Sequence, residues 1–232
     1  MEVENYGLEE LHSLLIKTLD KFDKICRDNN IKYSLHGGTL LGAERNHKLI
    51  PWDDDIDISM TRKNYKKFSR VVSNMGDSYY LNKDIMWVPR FVIKENEETA
   101  YIDILIWDYI SEKKWQQFLK LNLLRVLQGM LKPSVDYNRF NWKYKILLFL
   151  THNFGKCFTH NMKIKMYHYV EEKCFLGKKK YIHRSNDAFK DIGYIFDKQY
   201  MSEYVDIELE DKMYMANKRY HEFLLRSYGK NY

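Results

Sequence analysis

Only three cysteines and three prolines occur in 232 residues. Cys26, Cys157 and Cys174 are odd in number, share no C-x-x-C spacing and lack the paired histidines of a zinc site. That pattern excludes a disulfide framework and a zinc finger, and the three read as idle or buried thiols in a reducing compartment. No Pro/Gly/Ser-rich linker, internal repeat or low-complexity tract interrupts the chain. The longest strictly apolar run is Ile146–Leu150, against the roughly 20 residues that cross a bilayer, so no transmembrane helix is expected. Met1 leads into Glu2, Glu4, Glu9 and Glu10 with neither a basic nor an apolar leader region, so no secretory signal is expected. The expected location is cytoplasmic, with peripheral attachment to the inner face of the plasma membrane left open.

What is present is the material of a globular core. Apolar residues make up 45% and charged residues 30%, and nineteen tyrosines sit among many lysines. The chain is long enough to bury a core as one domain or as one domain with a large appendage. The net charge of +6 is unevenly distributed. Between Lys113 and Arg184 sixteen Lys and Arg face three acids, a local surplus of thirteen that leaves the remainder net negative by seven.

Periodicity suggests the order of elements. Leu11, Leu14, Leu15, Thr18, Leu19, Phe22 and Ile25 recur at three and four residue steps, which predicts a helix over 9–29. Lys32–His36 reads as a strand, Gly37-Gly38 as a turn, and Thr39 as the cap of a short helix over 40–45. Asp55-Ile56-Asp57-Ile58 alternates with period two, placing carboxylates on one face of a strand and isoleucines on the other. A helix over 61–75 and strands at 79–81, 86–94 and 101–107 follow, the last with Asp103 opposite the face of Ile102, Ile104 and Ile106. Helical spacing returns over 112–131 and 142–175, broken by Pro133 and a loop through Asn138. Short strands at 194–196 and 204–207 and a helix over 217–228 stopped by Gly229 close the chain.

The fold class that follows is α/β with mixed α+β character: a core with a central mixed sheet and helices, plus a basic, mostly helical insert. The expected division is a catalytic core over 1–110, the insert over 111–185, and C-terminal strands and a helix over 186–232 that complete the core.

Chemistry concentrates in Leu35–Gly42 and Ile50–Asp57. Carboxylates two apart on a strand share a face, so Asp55 and Asp57 can hold one or two Mg²⁺ (or Mn²⁺) ions, a pair lying about 3.5–4 Å apart. An all-carboxylate donor set suits such hard cations. Asp103 either completes the metal site or takes the proton from an attacking hydroxyl. Gly37 and Gly38 leave room for a phosphate at a helix N-terminus, and Arg45 and Lys48 are candidates to meet donor phosphates. Trp52 offers a face for a base or a quaternary ammonium. Plainer readings compete with these. An EF-hand beginning at Asp53 would need Gly and Glu where Ile58 and Asn64 stand. Gly37-Gly38 alone is also consistent with a simple turn, and Trp52 beside Pro51 with packing. Asp103 resists a structural explanation, because a buried unpaired carboxylate is destabilising.

Gly38-Thr39, Leu41-Gly42, Arg45 and Ile50-Pro51-Trp52-Asp53-Asp54-Asp55-Ile56-Asp57 closely resemble the LicD family, relatives of the phosphocholine transferases of bacterial glycans and of fukutin and fukutin-related protein. Tyr101-Ile102-Asp103-Ile104 looks like that family's later Asp-containing strand, with Leu105-Ile106 in place of its usual Phe-Pro. Tyr220, Leu224, Tyr228 and Gly229 resemble its closing helix, while Asn46–Leu49 departs from the usual approach to Ile-Pro-Trp. The resemblance covers both ends and leaves the basic middle unmatched. It implies a nucleotidyltransferase-like core, with Asp55 and Asp57 as metal ligands, Asp103 as a third carboxylate, and Gly38, Thr39 and Arg45 as donor contacts.

The activity so implied is transfer of a phospho-alcohol, phosphocholine from CDP-choline foremost, to a sugar hydroxyl of a glycan such as lipopolysaccharide, teichoic acid or capsule. The acceptor in such a scheme is a glycan, either soluble or lipid-linked. A phospho-polyol, phosphoethanolamine or phospho-sugar transferase is the near alternative. A basic membrane-surface module with a decayed site is the distant one, since Trp115, Phe118, Trp142 and Phe149 stand among lysines and arginines. No nucleic-acid partner is expected, because no RNA-binding signature accompanies the basic stretch.

Overall fold

The computed structural model describes residues 7–76, 78–82, 86–94, 100–132 and 142–232. The loop expected through Pro133 and Asn138 lies outside them. The chain forms a mixed α/β protein with a curled mixed sheet and, among the described residues, seven α-helices, and it divides into two compact units.

The first unit comprises residues 1–82, 89–107 and 199–232. Its sheet runs β1 (Ser34–Leu35), β2 (Ile56–Thr61), β5 (Tyr101–Ile110), β4 (Arg90–Ile93), β3 (Tyr79–Asn82). Only β2 and β5 are parallel; the remaining neighbours along this path are antiparallel. Helix α1 (Glu9–Asp28) lays Leu15, Leu19 and Phe22 into the core, where the Phe22 ring meets Tyr33, Phe68 and Phe91 at 5.1, 4.8 and 5.7 Å. Phe68 comes from α3 (Arg62–Ser73), which Thr61 caps by accepting the Asn64 N–H. Clustered aromatic rings in this distance range stabilise beyond the area they bury.

Helix α2 (Gly37–Asn46) starts earlier than its sequence suggests. Thr39 is not its cap, because the Thr39 hydroxyl lies inside the helix and accepts the Asp57 N–H at 3.0 Å. Strand β8 (Tyr204–Leu209) agrees with expectation, but an unanticipated strand β9 (Lys212–Asn217) takes the first residue of the helix expected over 217–228, which begins instead at Tyr220 as α7 (Tyr220–Tyr228). Asn217 is drawn into the strand because its N–H donates to Ser34 Oγ at 2.8 Å and its side chain reaches the Tyr200 carbonyl. The two-residue turn between β8 and β9 is formed by Glu210 and Asp211, both with positive φ (48° and 60°). That conformation usually advertises itself with glycine or asparagine, so the hairpin carried no turn signal.

The second unit comprises residues 83–88 and 108–198. Helix α4 (Lys114–Leu131) packs against α5 (Trp142–Gly155) and α6 (His160–Lys173), with Leu124, Leu127, Tyr167 and Ile192 in the core. The helical stretch expected over 142–175 is interrupted where Thr159 caps α6 through the Met162 N–H. Strand β6 (Tyr181–Arg184), unanticipated from sequence, pairs antiparallel with β7 (Ile195–Asp197). The interior here is unusually polar. Lys120 is fully buried and donates to the carbonyls of Tyr109 and Glu171 at 2.8 Å each, while Ser185 reaches both Asp108 and Glu171. Such a network is sustained by satisfying its donors and acceptors internally. Among the described residues no helix is long and apolar enough to cross a membrane.

Candidate active site

The parallel register of β2 and β5 sets Ile56 opposite Ile102 and Asp57 opposite Asp103. Ile56, Ile58, Ile102 and Ile104 are fully buried, and the two-residue period of a strand turns the intervening aspartates to the other face. Asp55 lies one residue before β2 and two before Asp57. One carboxylate oxygen from each of Asp55, Asp57 and Asp103 lies within 4.8 Å of the other two.

The glycines explain how the carboxylates come so close to α2. Gly37 has φ 53°, and a Cβ there would run into the Asp57 carboxylate. At Gly38 a Cβ would meet the Asp53 carboxylate. The space expected to admit a phosphate is therefore the space through which Asp57 and Asp53 approach the first turn of α2, a favourable end of the helix for negative charge. Thr39, buried, and His36 complete the clamp: Thr39 Oγ accepts the Asp57 N–H, and the His36 N–H donates to the Asp57 carbonyl at 3.0 Å. Gly42 lets the carbonyl of Lys48 fold back against the helix.

Arg45, Lys48 and Trp52 are exposed, Trp52 by 62%. The loop carrying Lys48 is braced from the C-terminal hairpin, where the Glu210 N–H donates to the His47 carbonyl at 2.8 Å and Glu210 Oε1 accepts the Leu49 N–H at 3.0 Å. His12, from α1, meets the Asp53 carbonyl at 2.8 Å.

Sequence reasoning missed Arg90. It stands opposite Asp103 across β4 and β5, its Nε donates to Asp103 Oδ1 at 2.9 Å, and its guanidinium lies 4.0 Å from the Tyr101 ring centroid. The available signal was a charge inside the apolar run Arg90-Phe91-Val92-Ile93, the same argument that singled out Asp103.

Electrostatics in the cluster are strained. Burial pushes the Asp103 carboxyl up to about 6, with Asp55 adding to the rise and Arg90 opposing it. Burial and then Asp54 raise Asp55, and burial followed by Asp55 and Asp54 raises Asp53. Carboxylates held together against their mutual repulsion, with oxygen the only donor atom, fit a hard divalent cation.

A mixed α/β unit presenting three convergent aspartates from a parallel strand pair defines a protein with a carboxylate-centred site. Comparison with known proteins gives that site a family. Residues 30–120 match the nucleotidyltransferase domain described as LicD/FKTN/FKRP. The lipopolysaccharide cholinephosphotransferase LicD of Haemophilus influenzae is 48% identical over 61 residues, 26% of this chain and 23% of that protein. Uncharacterized proteins of Rickettsia typhi and Rickettsia prowazekii are 26% and 40% identical over 71% of this chain. Those alignments span 58% and 68% of the respective relatives, so the first two relatives named are each matched over less than two thirds of their length. Residues 30–120 thus form a LicD-family domain, and the three aspartates lie within it.

Proposed function

We propose that the protein is a metal-dependent phosphotransferase that moves a phospho-alcohol group, phosphocholine from CDP-choline foremost, onto a sugar hydroxyl of a cell-surface glycan such as lipopolysaccharide. The observation that carries this reading is the convergence of Asp55, Asp57 and Asp103 within 4.8 Å. Asp55, Asp57 and Asp103 would hold Mg²⁺ or Mn²⁺. When bound, such an ion supplies charge neutralisation at the phosphates and lowers the barrier to displacement.

The remaining work falls to side chains. The acceptor hydroxyl attacks the phosphorus bearing choline, a new O–P bond forms, and the bond from that phosphorus to the bridging oxygen breaks, releasing CMP. Where it does not itself ligate the ion, Asp103 is the carboxylate placed to take the hydroxyl proton. Arg90 keeps Asp103 oriented and contributes positive charge beside the developing phosphate charge. In this reading Gly37 and Thr39 shape the donor side of the cluster by positioning Asp57, and Gly38 by admitting Asp53. Arg45 and Lys48 meet the donor phosphates, and the exposed Trp52 ring offers a face to the quaternary ammonium.

The donor is tested by supplying CDP-choline, CDP-ethanolamine, a CDP-polyol and a nucleotide sugar in parallel, with Mg²⁺ and a glycan acceptor, and following nucleoside monophosphate release. Turnover with CDP-choline alone supports phosphocholine transfer. Turnover only with another donor keeps the chemistry and replaces the transferred group, and silence with every donor contradicts the reading.

A further inference from the structure

The helices of the second unit expose more apolar surface than their packing accounts for. On α4, Trp115 and Phe118 are 57% and 66% exposed, with Leu119 and Leu123 continuing the stripe at helical spacing. On α5, Trp142, Ile146, Phe149, Leu150 and Phe154 are each more than half exposed. The opposite flank of each helix is already used. Leu124, Leu127 and Leu131 of α4 are buried, as is Leu148 of α5, and Gly155 lies against the backbone of Met130. A helix apolar on both its packed and its outward flank belongs in a protein core or at a membrane.

Charge decides between possible occupants. Exposed Lys113 and Lys114 precede Trp115, exposed Lys156 follows α5, and neither α4 nor α5 carries an acidic residue. A second copy of the chain would bring one basic surface against another, which repulsion disfavours. Four of the nine side chains on view, Leu119, Leu123, Ile146 and Leu150, are aliphatic and offer a nucleic acid neither stacking nor hydrogen bonds. Aromatic and aliphatic side chains flanked by lysine match the boundary of an anionic bilayer, where rings enter the headgroup layer and lysines meet lipid phosphates.

We propose that the exposed flanks of α4 and α5 form a docking surface for an anionic lipid bilayer. The attachment is interfacial, since among the described residues no helix is suited to span the membrane. This inference goes beyond the transfer reaction and does not depend on it.

The test is co-sedimentation of the purified protein with vesicles of phosphatidylcholine alone or of phosphatidylcholine mixed with phosphatidylglycerol. The wild type should pellet with the mixed vesicles, less so as salt is raised, and its tryptophan emission should shift to the blue. Ile146→Gln/Phe149→Gln and Trp115→Gln/Phe118→Gln change exposed residues, so both should melt like the wild type while binding the mixed vesicles about tenfold more weakly or worse. Lys113→Glu/Lys114→Glu should lose chiefly the preference for phosphatidylglycerol. Absence of pelleting with mixed vesicles overturns the proposal, as does binding that neither apolar double variant reduces. A wild-type dimer that the apolar variants dissociate, in a protein that ignores vesicles, also overturns it and assigns the face to self-association.

Discussion

Arg90 and Asp103 stand opposite each other across antiparallel strands β4 and β5, and their side chains meet at 2.9 Å. The pair gives a partly buried carboxylate a partner, so the arginine counteracts the rise in pKa that burial imposes on Asp103. Replacing Arg90 with Gln should leave the fold in place, because the arginine is partly exposed, and should reduce kcat about ten- to a hundredfold. Arg90→Lys should recover only part of that loss, since the ammonium cannot reproduce the guanidinium geometry. Steady-state kinetics with the thermal melt of each variant check both statements; unchanged kcat in Arg90→Gln would remove Arg90 from the site.

Thr39 distinguishes positioning from donor contact. Its hydroxyl accepts the Asp57 N–H within a buried environment. Thr39→Val leaves that N–H without its acceptor, so a loss of about 1–3 kcal/mol of stability is expected by urea denaturation. Thr39→Ser keeps the acceptor and should retain activity. If Thr39→Val keeps full stability and loses only donor affinity, the hydroxyl serves the ligand rather than Asp57.

Gly37 is fixed by two independent constraints, its φ of 53° and the Asp57 carboxylate that occupies the place of a Cβ. Gly37→Ala should therefore lower stability on the order of 1–3 kcal/mol and depress activity by displacing Asp57. Gly76 has φ 78° with open space around it, so Gly76→Ala carries the backbone strain alone and should leave turnover intact. Equal loss of turnover in both variants would contradict the geometric account.

His183 contributes to the acid limb of stability. It is fully buried, and burial pulls its pKa down from 6.5 to about 3, with the nearby Lys120 charge acting the same way; its Nδ1 lies 3.0 Å from the Ile192 carbonyl. Between those values the unfolded chain binds a proton that the native state refuses. The stability contributed by neutral His183 is thus complete above pH 6.5 and declines as pH falls toward 3. The slope approaches about 1.4 kcal/mol per pH unit for one unmatched proton. Urea melts at a series of pH values should show this decline, and His183→Gln, whatever its absolute stability, should flatten it. An unaltered slope in the variant would assign the acid sensitivity to other groups.

The sequence was most legible where period and chemistry coincide. Asp57 and Asp103 alternate with isoleucines over strands that form as expected, and Asp55 precedes the first of them by one residue. Less legible were relationships that depend on register between distant segments. Nothing local to Arg90 indicates which residue of β5 it will face, and Glu210, which braces the His47–Leu49 loop, is more than 150 residues away from it. Thr39 resembled a helix cap because its type and its position after two glycines fit one, yet the nearby Asp57 N–H claims its hydroxyl. Strand β9 was hidden by its Glu210-Asp211 turn, which adopts a glycine-like conformation without glycine. The apolar flanks of α4 and α5 were visible as helical pattern, but only burial separates the packed flank from the exposed one.

The most direct test of the central claim is Mg²⁺-dependent release of CMP from CDP-choline, with a glycan acceptor, by the wild type and by Asp55→Asn and Asp57→Asn. The account predicts turnover that is abolished by chelation and falls at least about a thousandfold in each variant, while both variants remain folded. Turnover that persists in chelator, or that survives the loss of either aspartate, would contradict it.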